Sequence, residues 1–316
     1  MDPFEQNRRL VRGVNIIGYD PIWKDRTQAR FQTKLFGVIR AAGFQHVRIN
    51  LHPFQFMGAA PDFQIQPAWL ETLDWAVENS LKNGLLVVLD LHEFMSISEN
   101  PNELKPKFMA AWRQLASRYQ HHDDRVIFEL LNEPNKLLTP AVWNEYYREP
   151  YALLRETNPE RTIILGPAWW NGIDHLHELE LPADDRNLIV TVHFYHPMAF
   201  THQGAPWTEF VDRRNVAWLG TPEEQQFIID WLSKAQAWSE QNQRPLYLGE
   251  FGAYDKAEIE SRVRYTSFVA RQFEKFGWSW AYWQFDSDFI VYDIDRDAWV
   301  EPILKALIPT AAGSQA

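Results

Sequence analysis

Cysteine is absent from the 316 residues, which removes disulfide bridges and thiolate metal sites from consideration. Equally missing is any run of about eighteen apolar residues, so no transmembrane helix is expected. The stretch Met1-Asp2-Pro3-Phe4-Glu5 has neither the basic start nor the apolar core of a signal peptide. No glycine-rich phosphate turn follows a strand, which disfavours a doubly wound nucleotide-binding sheet. Positive charge is in short supply: 31 Lys and Arg face 42 Asp and Glu, for a net charge of −11. Such a surface repels nucleic acid and anionic membranes, and it suits a neutral or cationic substrate.

What the chain does have is tryptophan, 15 of them, within an aromatic content of 15 %. Many must be core anchors, but the excess also suits stacking against flat ligand faces. A second feature is a repeated construction. Val126-Ile127-Phe128-Glu129-Leu130-Leu131-Asn132-Glu133-Pro134 begins as a buried apolar strand and ends in a carboxylate followed by proline, which cannot continue a sheet ladder. Arg244-Pro245-Leu246-Tyr247-Leu248-Gly249-Glu250-Phe251-Gly252 is built the same way. A lone Glu is ordinarily a solvated surface group. Two glutamates delivered by the ends of two strands suggest paired acid–base chemistry in one pocket.

The remaining chain reads as eight strand-then-helix units. Expected strands are 11–17, 46–51, 85–92, the Glu133 stretch, 162–168, 188–196, 246–250 and 279–285. Expected helices are 28–42, 67–82, 106–119, 139–156, a short one at 173–178, then 223–240, 256–276 and 298–307. Gly43, Gly84 and Gly277 follow helices where C-terminal glycines belong. A long loop, 197–220, is of a length more often functional than accidental. Eight alternating units without a linker predict an α/β fold with one (β/α)8 TIM barrel over residues 1–309, and residues 310–316 as a flexible tail.

A barrel gathers its chemistry at strand C-termini. Those ends read Arg48-Ile49-Asn50-Leu51-His52, Asp90-Leu91-His92-Glu93, Asn132-Glu133, His193-Phe194-Tyr195-His196, Glu250 and, on strand eight, Trp283. Taken singly, each histidine is as easily a satisfied core residue and Trp283 as easily packing. Arg48 also has a structural reading, as the partner that a barrel-interior Glu129 requires.

With these pieces the sequence resembles glycoside hydrolase family 5, within the clan of barrel glycosidases whose two glutamates lie on strands four and seven. The matching motifs are Asn132-Glu133-Pro134, Gly249-Glu250-Phe251-Gly252, the Arg48 strand, Asp90-Leu91-His92, His193-Phe194-Tyr195 and Ala281-Tyr282-Trp283. The single-domain bacterial endo-β-1,4-glucanases, some of them active on β-mannans, are also similar to it at Phe200 to Trp207 and Gly252-Ala253-Tyr254. The resemblance implies that Glu133 is the general acid/base and Glu250 the nucleophile of a retaining mechanism. Arg48 and Tyr195 would hold Glu250 as an anion, Asn132 would bind the sugar 2-hydroxyl, and His92 and His193 would orient substrate and catalytic groups. Trp283 would lie under the sugar next to the bond cut. His202, Trp207, Trp170, Glu93 and Asn15 are carried as substrate-binding residues, and Trp169 and Trp218 as further platforms. Two departures stand out. Glu93 takes the place of a second histidine common in the relatives, and the first loop reads Gly18-Tyr19-Asp20-Pro21-Ile22-Trp23, where Asp20 or Trp23 would substitute for their sugar-binding Asn and Glu.

The expectation is therefore an enzyme that hydrolyses internal β-1,4 bonds of a glucan, or of a β-mannan, without cofactor or metal, as a secreted monomer acting on polysaccharide or oligosaccharide. Two other classes stay open. A metal-dependent barrel enzyme would draw on His52, His92, Glu93, His193 and His196. A non-catalytic sugar-binding protein would need neither carboxylate.

Overall fold

Strand alternation decides which side chains enter the interior of this protein, because successive residues point to opposite faces. The computed structural model describes residues 1–309; the expected tail lies outside the described residues. Eight parallel strands close in chain order: β1 Arg12–Ile16, β2 His46–Leu51, β3 Leu86–Leu91, β4 Val126–Glu129, β5 Ile163–Leu165, β6 Leu188–Phe194, β7 Leu246–Phe251 and β8 Ser279–Tyr282. The fold is a single (β/α)8 barrel. Val87, Leu89 and Leu91 of β3 pack outward against the helical ring. Leu86, Val88, Ile127, Ile164, Ile189, Tyr247 and Ala281 form a separate apolar cluster inside the barrel. Above that layer, towards the strand C-termini, the interior becomes polar: Asn15, Arg48, Asn50, Asp90, Glu129, His193 and Glu250 are all buried.

The helix Pro3–Leu10 precedes β1, and the hydrophobic pattern did not announce it. Asp2 caps it by accepting from the Glu5 N–H at 2.9 Å, and Leu10 joins the apolar cluster within the barrel. Asn7 Nδ2 donates to the Leu246 carbonyl at 3.0 Å, fixing the plug to β7. Other departures have local causes. The expected helix 139–156 divides into Pro140–Tyr146 and Arg148–Thr157, and Pro150, lacking an N–H, fits the first turn of the second. Two 3-10 turns precede Lys34–Ala42, so that helix starts later than expected. The helix expected at 106 begins at Pro101 and runs through Pro106 to Tyr119, after a separate short helix Phe94–Glu99. Strand eight stops at Tyr282. The expected helix 298–307 opens with a strand, Ala298–Trp299, paired to Tyr292–Asp293, before Glu301–Leu307. Among the described residues no helix is long and apolar enough to cross a membrane.

One irregularity matters for chemistry. Between β6 and β7 the register steps from Val192↔Leu248 to His193↔Glu250, so Gly249 is an unmatched extra residue. A bulge of this kind re-aims the next side chain, here Glu250. A Cβ on Gly249 would fall 2.7 Å from Thr191 Oγ1 and 2.8 Å from His193 Nε2. Gly249→Ala is therefore expected to lower stability by about 1–3 kcal/mol through overpacking and to depress turnover as His193 is displaced. Urea denaturation and steady-state kinetics on the same preparation check both.

Candidate active site

Every N–H of the Arg48 guanidinium has an acceptor. Nε donates to Glu129 Oε2 at 2.7 Å. Nη2 donates to Glu129 Oε1 and to Asn132 Oδ1, each at 2.8 Å. Nη1 donates to Asn15 Oδ1 and Glu250 Oε1, again at 2.8 Å. Asp90 Oδ2 lies 3.1 Å from Nη2. The fork-shaped cation thus ties β1, β2, β3, β4 and β7 together at one level. Burial pushes Asp90 and Glu129 above the usual carboxylate range, and Arg48 draws both back.

Glu250 follows the Gly249 bulge. Besides Arg48 it accepts from the Tyr195 hydroxyl, 3.0 Å from Oε2. Burial and the nearby carboxylates hold Tyr195 well above its ordinary value, so it remains a donor. Glu133 stands four residues beyond Glu129, on the same side of the chain, at φ +40°. The backbone leading to it still bonds the flanking strands, Leu130 N to Ile164 O and Asn132 N to Leu91 O. A left-handed non-glycine residue is strained, and such residues gather at functional sites. Glu133 Oε1 is 2.7 Å from His193 Nδ1, which is itself 3.6 Å from Glu250 Oε2. A Glu133 oxygen, a His193 nitrogen and a Glu250 oxygen all lie within 4.8 Å of one another. Burial pushes Glu133 up to about 8 and Glu250 up to about 7; for Glu250, His193 and Arg48 oppose the rise.

A second chain of contacts sets Asn132. His92 Nδ1 is 2.5 Å from Asp90 Oδ2, and His92 Nε2 is 3.3 Å from Asn132 Nδ2. An Asp90 partner makes Nδ1 the protonated nitrogen, so Nε2 accepts from the amide. Asn132 Oδ1 is held by Arg48, which leaves one amide hydrogen for another partner. Trp283, 8 % exposed, follows β8 with its ring parallel to His92, centroids 5.6 Å apart. Tyr19 meets Trp283 edge-on at 6.3 Å and lies 5.3 Å from His52. From there a cavity of about 510 Å³ opens, lined by Tyr19, Trp23, His52, Phe54, Gln55 and Glu93 among others. A second cavity of about 360 Å³ lies on the β5–β6 side, with Trp169, Trp170, His175, His196 and Trp231 around it.

Several expected site residues are placed differently. Asn15 is fully buried; it accepts from Arg48 and Asn50 and donates to the Gly249 and Tyr282 carbonyls, so no part of it is left for substrate. Trp218 is buried against Tyr265 and Phe268, a core anchor and not a platform. Asp20 accepts from the backbone N–H groups of Ile22, Arg30 and Phe31 and braces its own loop. His202 packs behind Tyr195, centroids 4.9 Å apart, and bonds Thr201. Trp170 and Trp207 are about half exposed, Trp207 edge-on to Tyr254 at 5.2 Å. Trp169 and Trp23 border the two cavities, although Trp23 is largely covered by stacking on Trp69 at 4.9 Å. Glu93 borders the larger cavity, accepts from the Phe54 N–H at 2.6 Å, and is raised by burial to about 7. The five residues weighed as metal ligands do not converge. Among the described residues, Glu133, His193 and Glu250 form the group with ligand-like spacing.

One contributor went unread in the sequence. Asn171 Nδ2 lies 3.3 Å from His193 Nε2. Trp169, Trp170 and Asn171 are consecutive left-handed residues, at φ +56°, +58° and +54°, a conformation costing roughly 1–2 kcal/mol per residue for L-amino acids. No periodicity signals such a run, and tryptophan does not favour it; the hints are Asn171-Gly172, a turn pair whose asparagine tolerates this region, and Gly166, whose missing Cβ leaves the room that Asn171 fills.

An eight-stranded barrel carrying two close carboxylates at the ends of strands four and seven defines a glycoside hydrolase. Residues 8–288 match the description of cellulase, glycosyl hydrolase family 5, and the chain belongs to that family. It is 41 % identical to Thermotoga maritima Cel5A over 97 % of this chain and all of that one, with a TM-score of 0.92; that enzyme has been solved with mannotriose and with cellobiose. It is 28 % identical over 97 % of its length to Endoglucanase H of Acetivibrio thermocellus, of which it spans 34 %. Cellodextrinase A of Ruminococcus flavefaciens is 27 % identical over 86 % of this chain and 84 % of its own.

Arg48→Met removes the one cation from among Asp90, Glu129 and Glu250. Breaking a buried pair on one side typically costs about 3–5 kcal/mol, and a loss of that size in chemical denaturation is expected, with Glu129→Leu on the same background restoring part of it.

Proposed function

We propose that the chain is a retaining endo-glycosidase that cuts internal β-1,4 bonds of glucans, with Glu133 as general acid/base and Glu250 as nucleophile. The observation that carries this reading is the carboxyl spacing. Oxygens of Glu133 and Glu250 lie within 4.8 Å, matching the roughly 5–5.5 Å of double displacement and leaving no room for the water that inversion places between carboxyls about 6.5–9.5 Å apart. The surroundings divide the roles. Glu250 sits between a guanidinium and a phenol, both donors that favour its anion. Glu133 has no cation in contact, and burial keeps its proton on to higher pH.

In the first step Glu250 attacks the anomeric carbon while Glu133 protonates the departing glycosidic oxygen. In the second, Glu133 takes a proton from water, which attacks the same carbon and releases Glu250. Asn132, held by Arg48 and His92, turns its free amide hydrogen to the 2-hydroxyl of the sugar in the cut position. Trp283 underlies that sugar. Tyr19, His52 and Glu93 receive the units on one side, and Trp170, with Trp169, those on the other; Trp207 is a more distant platform. The glucan reading is supported by the endoglucanase relatives. The mannotriose complex of Thermotoga maritima Cel5A supports β-mannan as a second substrate, although mannose and glucose differ at the carbon whose hydroxyl Asn132 would meet. A polymer that cannot enter a cell makes secretion the consistent location, and one barrel holds the whole site, so a monomer suffices.

Four measurements test this. Reducing-end release is expected on β-1,4-glucan and mixed-linkage β-glucan, with a smaller rate on β-mannan, and none from Glu250→Ala; turnover by that variant removes the nucleophile assignment. Glu133→Gln should lower kcat/KM on a phenyl glycoside by ~10²–10⁴-fold, the usual weight of general acid catalysis, while sparing a dinitrophenyl glycoside whose leaving group needs no proton. The pH–rate curve should be bell-shaped. Activity rises as Glu250 ionises and falls as Glu133 loses its proton near about 8; a monotonic curve contradicts the paired scheme. Activity surviving exhaustive EDTA dialysis removes the metal-dependent alternative.

A further inference from the structure

The left-handed turn 169–171 ends on a buried asparagine that touches no part of the cleft floor and still reaches the centre of the site. Its amide nitrogen faces His193 Nε2 at 3.3 Å, and the other ring nitrogen faces Glu133 at 2.7 Å. The fold goes to some length to hold this contact. Three consecutive L-residues take up φ near +55°. Trp170 N–H donates to the Pro134 carbonyl at 3.1 Å, fastening the turn to the residue after Glu133. A Cβ on Gly166 would fall 2.2 Å from Asn171 Oδ1, and one on Gly249 2.8 Å from His193 Nε2. Two glycines, one just past the end of β5 and one within β7, therefore clear the space in which the amide and the imidazole meet.

We infer that Asn171 is a positioning residue that fixes the tautomer of His193 and thereby the oxygen on which Glu133 carries its proton. A neutral imidazole has one donor and one acceptor nitrogen. Asn171 Nδ2–H donating to Nε2 makes Nε2 the acceptor, so Nδ1 bears the hydrogen and donates to Glu133 Oε1. Burial favours the uncharged ring. With Oε1 engaged by an N–H, the acid proton of Glu133 resides on Oε2. The opposite tautomer would offer Glu133 a lone pair, and the carboxylic proton would point at the histidine and away from the leaving oxygen. Asn171 thus acts through His193 on the direction of proton delivery, with no contact of its own to the substrate. This inference rests on the acid role proposed for Glu133.

Two experiments test it. In the wild-type protein, ¹⁵N NMR of labelled histidine, with His193 assigned by loss of its signals in His193→Gln, should show the neutral Nδ1–H tautomer; an Nε2–H tautomer or an imidazolium at neutral pH overturns the inference. Asn171→Asp places an acceptor against Nε2 and should reverse the tautomer or charge the ring. Its kcat/KM is expected to fall on phenyl β-cellobioside by between about 10-fold and the ~100-fold that marks the lower bound for losing general acid catalysis outright. On dinitrophenyl β-cellobioside it should stay within about twofold, because protonation of that leaving group contributes little. Equal loss on both substrates, or none on either, overturns the inference. Glu133→Gln assayed beside it separates the two readings: leaving-group selectivity in Glu133→Gln but not in Asn171→Asp rejects Asn171 alone, whereas its absence from both rejects the acid assignment.

Discussion

One guanidinium holds this molecule's chemistry in place. Arg48 contacts two carboxylates that never meet substrate, Glu129 and Asp90, and one that is proposed to, Glu250. A single positive charge cannot neutralise three negative ones in a buried space, so protons must be shared among them. That constraint spreads outward. It raises the carboxyl groups around it and makes tyrosine and asparagine donors valuable nearby, while burial first, and Arg48 after it, lowers His92 and His193 and favours their neutral rings. It also accounts for the split interior of the barrel, apolar below and polar above. The hydrophobic layer closed by Leu10 keeps water from reaching the network from beneath, and in a drier setting each hydrogen bond to Arg48 is stronger.

The sequence made the strands and their ends legible because both follow local rules. Apolar runs bounded by proline or by helix signals mark buried parallel strands, and polar groups at their C-termini mark the mouth. Glu133 and Glu250 could be singled out on that basis alone, and the Arg48–Glu129 partnership followed from counting residues along one face. What could not be read depends on relations between strands. The bulge at Gly249 exists only against the register of β6. Asn15 looked like a strand-end sugar ligand, yet its neighbours on β2 and β8 consume all its hydrogen-bonding groups. Trp218 lies in a long loop and reads as a platform, but Tyr265 and Phe268 of a distant helix bury it. The placing of Asn171 required two tryptophans before it to share a left-handed conformation that asparagine alone among the three tolerates readily. In each case the deciding partner was far away in the chain.

The two sides of the site are built unequally. On the side of β1 to β3, Tyr19, His52 and Glu93 line the larger cavity next to His92, with His92 and Glu93 held by hydrogen bonds. On the side of β5 and β6 the lining is mostly aromatic, and Trp170 stands half exposed. Polar, fixed groups discriminate among hydroxyl patterns, because a wrong pattern leaves a buried group unpaired. Aromatic faces accept many sugars alike.

The plug formed by Pro3–Leu10 bears on how the chain comes together in time. Asn7 finds the carbonyl it donates to at Leu246, 239 residues later, and the hydroxyl that donates to its Oδ1 at Ser279, 272 residues later. Strand β1 likewise finds one of its two neighbours only in β8. A polypeptide emerging from the ribosome at about 5–20 residues per second therefore carries these early segments for many seconds before their last partners exist. Contacts of such long range slow folding, since the loop must close before the contact is rewarded. The last strand made is the one that seals the cylinder, and until then the polar ring around Arg48 is open on one side. Vectorial synthesis leaves this protein with a long interval as an unfinished sheet, whose apolar interior and two free edges are what a nascent-chain chaperone would need to cover.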